Sequence, residues 1–165
     1  MHDLSLYLLE MIENSVRAGA SRIQITLTVD RKTDDVRLIV DDDGWGLPAP
    51  ADQVLDPFFT TKPGKKTGLG LSLLRAEAQA AGGDLEIGSS PTLGGARVAV
   101  HMRLDHIDRL PLGDMGASLV VAAVTNPQVK FEVSFAGDQF SSPLVHAPPA
   151  VAARYWHTLD PERVT

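Results

Sequence analysis

The chain has 165 residues, 44% of them hydrophobic and 22% charged, which suits one globular domain or one domain with a small appendage. Fifteen Lys and Arg against 21 Asp and Glu leave a net charge of −6, which argues against a dominant nucleic-acid surface. There is no cysteine, so disulfides, thiol nucleophiles, iron–sulfur clusters and thiolate zinc sites are excluded.

In chain order, residues 3–18 read as a helix. Asp3 is placed to cap it, Leu4, Leu8, Met11, Ile12 and Ser15 recur at three-or-four spacing, and Gly19 ends it. The start of the chain lacks the basic region of a signal peptide, and the longest apolar run, Leu119 to Val124, is far short of a membrane span. A cytoplasmic location is the expectation. Two strands follow, 22–29 with Ile23, Ile25, Leu27 and Val29 on one face, and 36–40. An acidic, glycine-rich turn runs from Asp41 to Gly46, and a short helix fits 50–55. Residues 57–67 read as a loop, 68–81 as a helix closed by Gly82-Gly83, and 84–89 and 96–104 as two further strands. Ten of the fourteen glycines fall between positions 44 and 95, which puts the expected site in the middle of the chain, where backbone must approach a ligand. Pro111 suits the first turn of a helix over 112–124, and Val129, Phe131, Val133 and Phe135 alternate as a half-buried strand. Strand, helix and strand there predict a right-handed crossover adding one strand to the sheet. From 137 onward, prolines break up regular structure.

Three segments carry chemistry. Glu10, Asn14 and Arg17 share one face of the first helix, where a carboxylate, an amide oxygen and a guanidinium can serve as a base, a magnesium ligand and a phosphate contact. The plainer alternative is a solvated face with an ordinary ion pair. Asp42-Asp43-Gly44-Trp45-Gly46 follows a strand. Its glycines let backbone approach a flat ring, and a carboxylate at the strand end can accept from an exocyclic amine, a bond worth roughly 1.5–3 kcal/mol. A tight acidic turn is the alternative; a calcium loop is disfavoured because no Glu follows at the required spacing. Gly64-Lys65-Lys66-Thr67-Gly68-Leu69-Gly70-Leu71-Ser72 runs from loop into helix, where free amides and the helix dipole make an anion site. It is not a Walker A loop, since Phe59 stands where the upstream Gly is needed. A flexible surface loop before a glycine-started helix is the alternative.

Together these segments resemble the ordered boxes of the Bergerat-fold, or GHKL, ATPases: gyrase, heat-shock chaperones, histidine kinases and mismatch-repair proteins. Leu9 to Ser15 followed by Ala18-Gly19-Ala20 resembles the N-box in its mismatch-repair form. Asp42 to Gly46 resembles the first glycine box, Pro57 to Lys62 the histidine-kinase F-box, and Thr67 to Ser72 the second glycine box. Gly82-Gly83 and Gly94-Gly95 fall where the family places its last hairpin. The resemblance covers about residues 3–104 and implies an α/β two-layer sandwich, a mixed sheet with helices on one face.

The resemblance also implies roles. Asn14 would coordinate magnesium on the phosphates of ATP, Asp42 would hold the adenine amino group, and Gly44 and Gly46 would admit the base. Thr67, Gly68, Leu69 and Gly70 would give backbone contacts to phosphates, with residues 57–67, including Lys62, as a lid and Arg17 near the phosphates. Glu10, four residues before Asn14, would act as general base on water or a hydroxyl, with a serine-kinase-like reaction among the options. Ala96 stands where the family often has Thr, which removes one hydroxyl near adenine. Only Met1 and His2 precede the first helix, so the expected phosphoacceptor lies on a partner protein, with neither nucleic acid nor membrane as partner. The expected division is an ATP-binding domain over 1–104, a helix–strand extension over 105–136 packed on it, and an irregular tail over 137–165. The rival reading is an ATP-gated protein-binding switch in which hydrolysis is incidental. His101, His106, Asp105 and Asp108 read as polar residues at a strand end rather than metal ligands.

Overall fold

A computed structural model describes residues 3–59 and 69–137. Helix α1 (Leu4–Arg17) starts at Asp3, whose carboxylate accepts the Leu6 amide at 3.0 Å. Its apolar stripe of Leu4, Leu8, Met11 and Ile12 is buried. It ends at Gly19, which takes φ 76° while its amide bonds the Val16 carbonyl. That left-handed angle strains any residue with a side chain.

Strands β1 (Arg22–Asp30) and β2 (Asp35–Asp42) pair antiparallel with Ile25 opposite Val40. A short helix α2 (Ala51–Val54) follows, then α3 (Leu69–Ala80), β3 (Asp84–Ser89), β4 (Ala96–Arg103), α4 (Met115–Thr125) and β5 (Lys130–Gly137). The strand order is β3-β4-β2-β1-β5, and only the β1–β5 pairing is parallel. The sheet is therefore mixed. Ile23, Ile25, Leu27, Leu38, Val100 and Val133 point to one face, where they form a single core with Leu8, Met11 and Ile12 of α1, Leu74 and Ala78 of α3, and Leu119 of α4. Alternation of apolar and polar residues along each strand sets this sidedness.

Two boundaries differ most from the sequence reading. β2 extends through Asp41 and Asp42, because Asp42 pairs with Ile23 and Asp41 with both Gln24 and Arg97, so the acidic turn is shorter than its composition suggests. α4 begins at Met115, capped by Asp114, instead of at 112. The Pro111 and Leu112 carbonyls accept the Leu4 and Ser5 amides at 3.0 Å each, which ties down the chain before α4 and supplies partners for the first turn of α1. The chain after β4 crosses β2 and β1 before β5 joins beside β1, at the edge opposite β3. The expectations for the tail beyond 137 lie outside the described residues.

The other face of the sheet is charged. Arg97 donates to both oxygens of Asp41, at 2.7 and 2.9 Å, and Arg22 meets Glu132 at 2.6 Å. The Asp41 side chain is only 4% exposed, and Arg97 is its counter-ion. Arg97→Met keeps much of the aliphatic stem and removes the guanidinium. It is expected to lower unfolding free energy by about 2–3 kcal/mol, because a buried carboxylate loses its counter-ion while the arginine it replaces was partly solvated. A urea melt measures this, and an unchanged midpoint would show that Asp41 needs no cation. His101 approaches Asp35 at 3.5 Å and His106 approaches Asp108 at 4.0 Å. No cluster of three His, Cys, Asp or Glu able to hold a metal occurs among the described residues.

Candidate functional site

One cavity of about 230 Å³ opens between α1, the end of β2 and the start of α3. Glu10, Asn14, Arg17, Asp42, Gly46 and Gly70 all line it, although they come from three separate segments of the sequence. Met11, Val40, Leu47, Val54, Phe59, Leu71 and Val98 supply its apolar walls. A concave, mostly apolar pocket with a few converging polar groups is the usual form of a small-molecule site.

Asp42 is the fixed point. Its side chain is carried by the last residue of β2, and the residue is 3% exposed. Its Oδ2 accepts the Ser15 hydroxyl at 2.6 Å, and its Oδ1 accepts the amides of Gly44 and Ala96 at 3.0 Å each. A carboxylate has about four acceptor positions, so three protein donors leave capacity for one more. The hairpin between β3 and β4 reaches Asp42 because residue 95 is glycine. A methyl group there would overlap Asp42 Oδ1 and lie 2.6 Å from the Gly44 amide nitrogen. Ala96 bonds Asp42 through its backbone, so this contact does not need the hydroxyl of the Thr that Ala96 replaces.

Asp43 faces away and pins the end of β2 to the start of β1. It accepts the Ser21 amide and hydroxyl at 2.8 and 2.6 Å and the Arg22 amide at 2.9 Å. Desolvation works against its charge, but these donors outweigh it and hold the carboxyl below the usual carboxylate range. Gly44 does not line the cavity. It packs on the end of α1, where a Cβ would come within 2.5 Å of the Ala18 carbonyl oxygen. The Trp45 amide bonds that same oxygen at 3.0 Å, and its indole, 74% exposed, crosses Gly19 at the cavity mouth.

On α1, the Arg17 Nη2 donates to Asn14 Oδ1 at 2.6 Å. The two residues therefore face the cavity as a linked pair. Glu10, one turn before Asn14, rests against Gly70 in the first turn of α3. Tyr7 sits one turn before Glu10 and is 3% exposed. Burial, then the Glu77 carboxylate and then Glu10, push its hydroxyl above the ordinary tyrosine range, so it stays protonated. Lys62, Thr67, Gly68 and the lid over 60–67 lie outside the described residues. Leu69 opens α3.

The sequence alone points to no chemical role for Ser15, yet its hydroxyl holds Asp42. The available signal was a hydroxyl at an apolar-stripe position, after Leu8, Met11 and Ile12. Gly95 reads as a hairpin residue, but its approach to Asp42 depends on register and is not visible locally.

The profile of the histidine kinase-, DNA gyrase B-, and HSP90-like ATPases matches residues 2–106, which contain every box described above. The chain belongs to this GHKL ATPase family. Among curated GHKL proteins, the sensor-type histidine kinase PrrB of Mycobacterium leprae (strain TN) is 36% identical over 95 residues, covering 55% of this chain and 21% of its own length. The signal transduction histidine-protein kinase AtoS of Escherichia coli (strain K12) is 34% identical over 93 residues, covering 55% of this chain and 15% of its own. The chain thus spans about a fifth or less of these kinases. It is homologous to their catalytic ATPase domains. Among solved structures, the N-terminal domain of a DNA repair protein is similar in fold to this chain, with a TM-score of 0.56, at 16% identity over 94% of this chain and 56% of that one. That likeness in fold extends past residue 106. No helix among the described residues is long and apolar enough to cross a membrane.

Proposed function

We propose that this GHKL domain binds ATP with magnesium and transfers the γ-phosphoryl group to a partner protein or to water. The observation that carries the reading is the convergence of Glu10, Asn14 and Asp42 on one cavity. The free acceptor capacity of Asp42 suits the exocyclic amine of adenine, with the apolar walls around the ring. Gly46 has φ 92° and open space where a side chain would stand, which leaves room for the base, while Gly44 lets the strand end close on α1.

For the metal, the donor at hand is one neutral oxygen, Asn14 Oδ1. Magnesium keeps several waters and takes most remaining ligands from phosphates, so a single amide oxygen on the wall of a nucleotide cavity fits it. When bound, the ion supplies charge neutralisation for the triphosphate. Arg17 would leave Asn14 and turn to the phosphates, while Lys62 and the backbone of Thr67, Gly68, Leu69 and Gly70 would hold them from the other side. Glu10 would take the proton of the attacking group. Positioning and charge neutralisation supply most of the catalysis in such transfers. In this reading residues 1–104 form the ATP-binding unit, 105–136 extend it, and the domain works in the cytoplasm on a partner bearing the phosphoacceptor.

Calorimetric titration with ATP, with and without magnesium, tests the binding step. Saturable binding strengthened by the cation is expected, and no heat of binding at saturating magnesium would overturn the reading. Labelled ATP with and without candidate partners then identifies the acceptor. The outer face of α4 exposes Val120, Val121 and Val124, the last 73% exposed, and this favours the switch as a second reading. Partner capture that needs ATP but survives loss of turnover would support it.

A further inference from the structure

The backbone angle of Gly70 does not require glycine. Gly70 is the second residue of α3, and it is absent from the glycines with positive φ, which are Gly19, Gly46, Gly82, Gly94 and Gly113. Glycine in a helix is less favourable than alanine, so some other demand keeps a side chain out. What stands where its Cβ would be is the Glu10 carboxylate: Oε2 would overlap a methyl group there, and Cδ would lie 3.1 Å from it.

Glu10 makes no hydrogen bond or ion pair with the described residues. Among the described residues no donor orients it, and its packing against the first turn of α3 sets its direction. α1 brings it to the cavity, and the bare first turn of α3 gives its carboxylate a seat beside Asn14. We propose that Gly70 is a positioning residue for Glu10, shaping the space from which that carboxylate takes the proton of the attacking water or hydroxyl. This rests on the base role given to Glu10 above and adds to the backbone phosphate contact implied for Gly70.

A methyl group at position 70 meets the far end of a flexible side chain, so Glu10 can swing away while the fold persists. Gly70→Ala is therefore expected to leave the melting temperature unchanged or higher, because alanine is the better helix former. At saturating ATP, kcat for phosphate release is expected to fall about 100-fold, the scale of a displacement near 1 Å at a reacting group. The deciding measurement is a double-mutant cycle. With Glu10→Ala already in place there is no carboxylate to displace, so adding Gly70→Ala is expected to change kcat less than two-fold. Glu10→Asp, one methylene shorter, is expected to recover at least part of the activity of Gly70→Ala. A loss of kcat by the same factor in both backgrounds would overturn the positioning role while leaving the base intact. Glu10→Ala with parental turnover would remove the base assignment itself and this inference with it.

Discussion

Asp42→Asn is expected to abolish measurable ATP binding and to destabilise the fold by about 1–3 kcal/mol, the cost of a buried donor left facing another donor. Ser15, Gly44 and Ala96 all donate to this side chain, at 2.6, 3.0 and 3.0 Å. An amide offers one oxygen in place of two, so at least one of these donors loses its acceptor. The oxygen that does remain is already engaged, and the amide nitrogen repels the exocyclic amine that the carboxylate would accept. Asp42→Ala goes further. It orphans all three donors, so the expected loss is about 3–5 kcal/mol, near the whole margin of a small domain. Denaturant melts of the two variants measure the stability terms, and calorimetry with Mg-ATP measures the binding. Binding by Asp42→Asn within three-fold of the parent would remove Asp42 from the adenine site, whatever the melts show. Because the acid is held by α1, by the turn after β2 and by the hairpin before β4, its loss is also expected to loosen the contact of these segments.

These contacts also show what a sequence can and cannot display. The sandwich was legible because each strand alternates: Ile23, Ile25, Leu27 and Val29 cannot share a face with Gln24, Thr26 and Thr28 in any extended chain. Glu10, Asn14 and Arg17 were legible for the same reason, since helical spacing is a local property. Asp41 and Asp42 read as a turn because acidic residues beside glycine usually are one. Their pairing with β1, and the β4 residue Arg97 that meets Asp41 from 56 residues away, leave no local trace. The late start of α4 has a similar origin. Pro111 favours a helix locally, but the open amides of α1 claim the carbonyls of Pro111 and Leu112. The encounter of Gly70 with Glu10 is a fact of how α3 packs on α1, and the glycine box shows only that residue 70 is small.

Glu10→Gln is expected to lower phosphate release from ATP by about 10²–10⁴-fold, the usual contribution of a positioned general base. Glutamine is nearly the same size and cannot accept a proton at neutral pH. The seat against Gly70 remains filled, and Glu10 makes no hydrogen bond with the described residues that its replacement would break. Stability and ATP affinity are therefore expected to stay near parental, which separates this variant from Asp42→Asn, where both fall. Release measured with γ-labelled ATP tests the claim, and turnover within two-fold of the parent would show that another group takes the proton. The same variant discriminates between acceptors. Water and a serine or threonine hydroxyl attack well only as their proton leaves, so transfer to them needs the carboxylate. A neutral imidazole attacks through a nitrogen lone pair that carries no proton, so it needs positioning and charge neutralisation alone. If the partner's acceptor is a hydroxyl, Glu10→Gln stops hydrolysis and transfer together. If it is histidine, hydrolysis falls while transfer to the partner continues at a rate within a few-fold of the parent, and acid-labile label on the partner reports it.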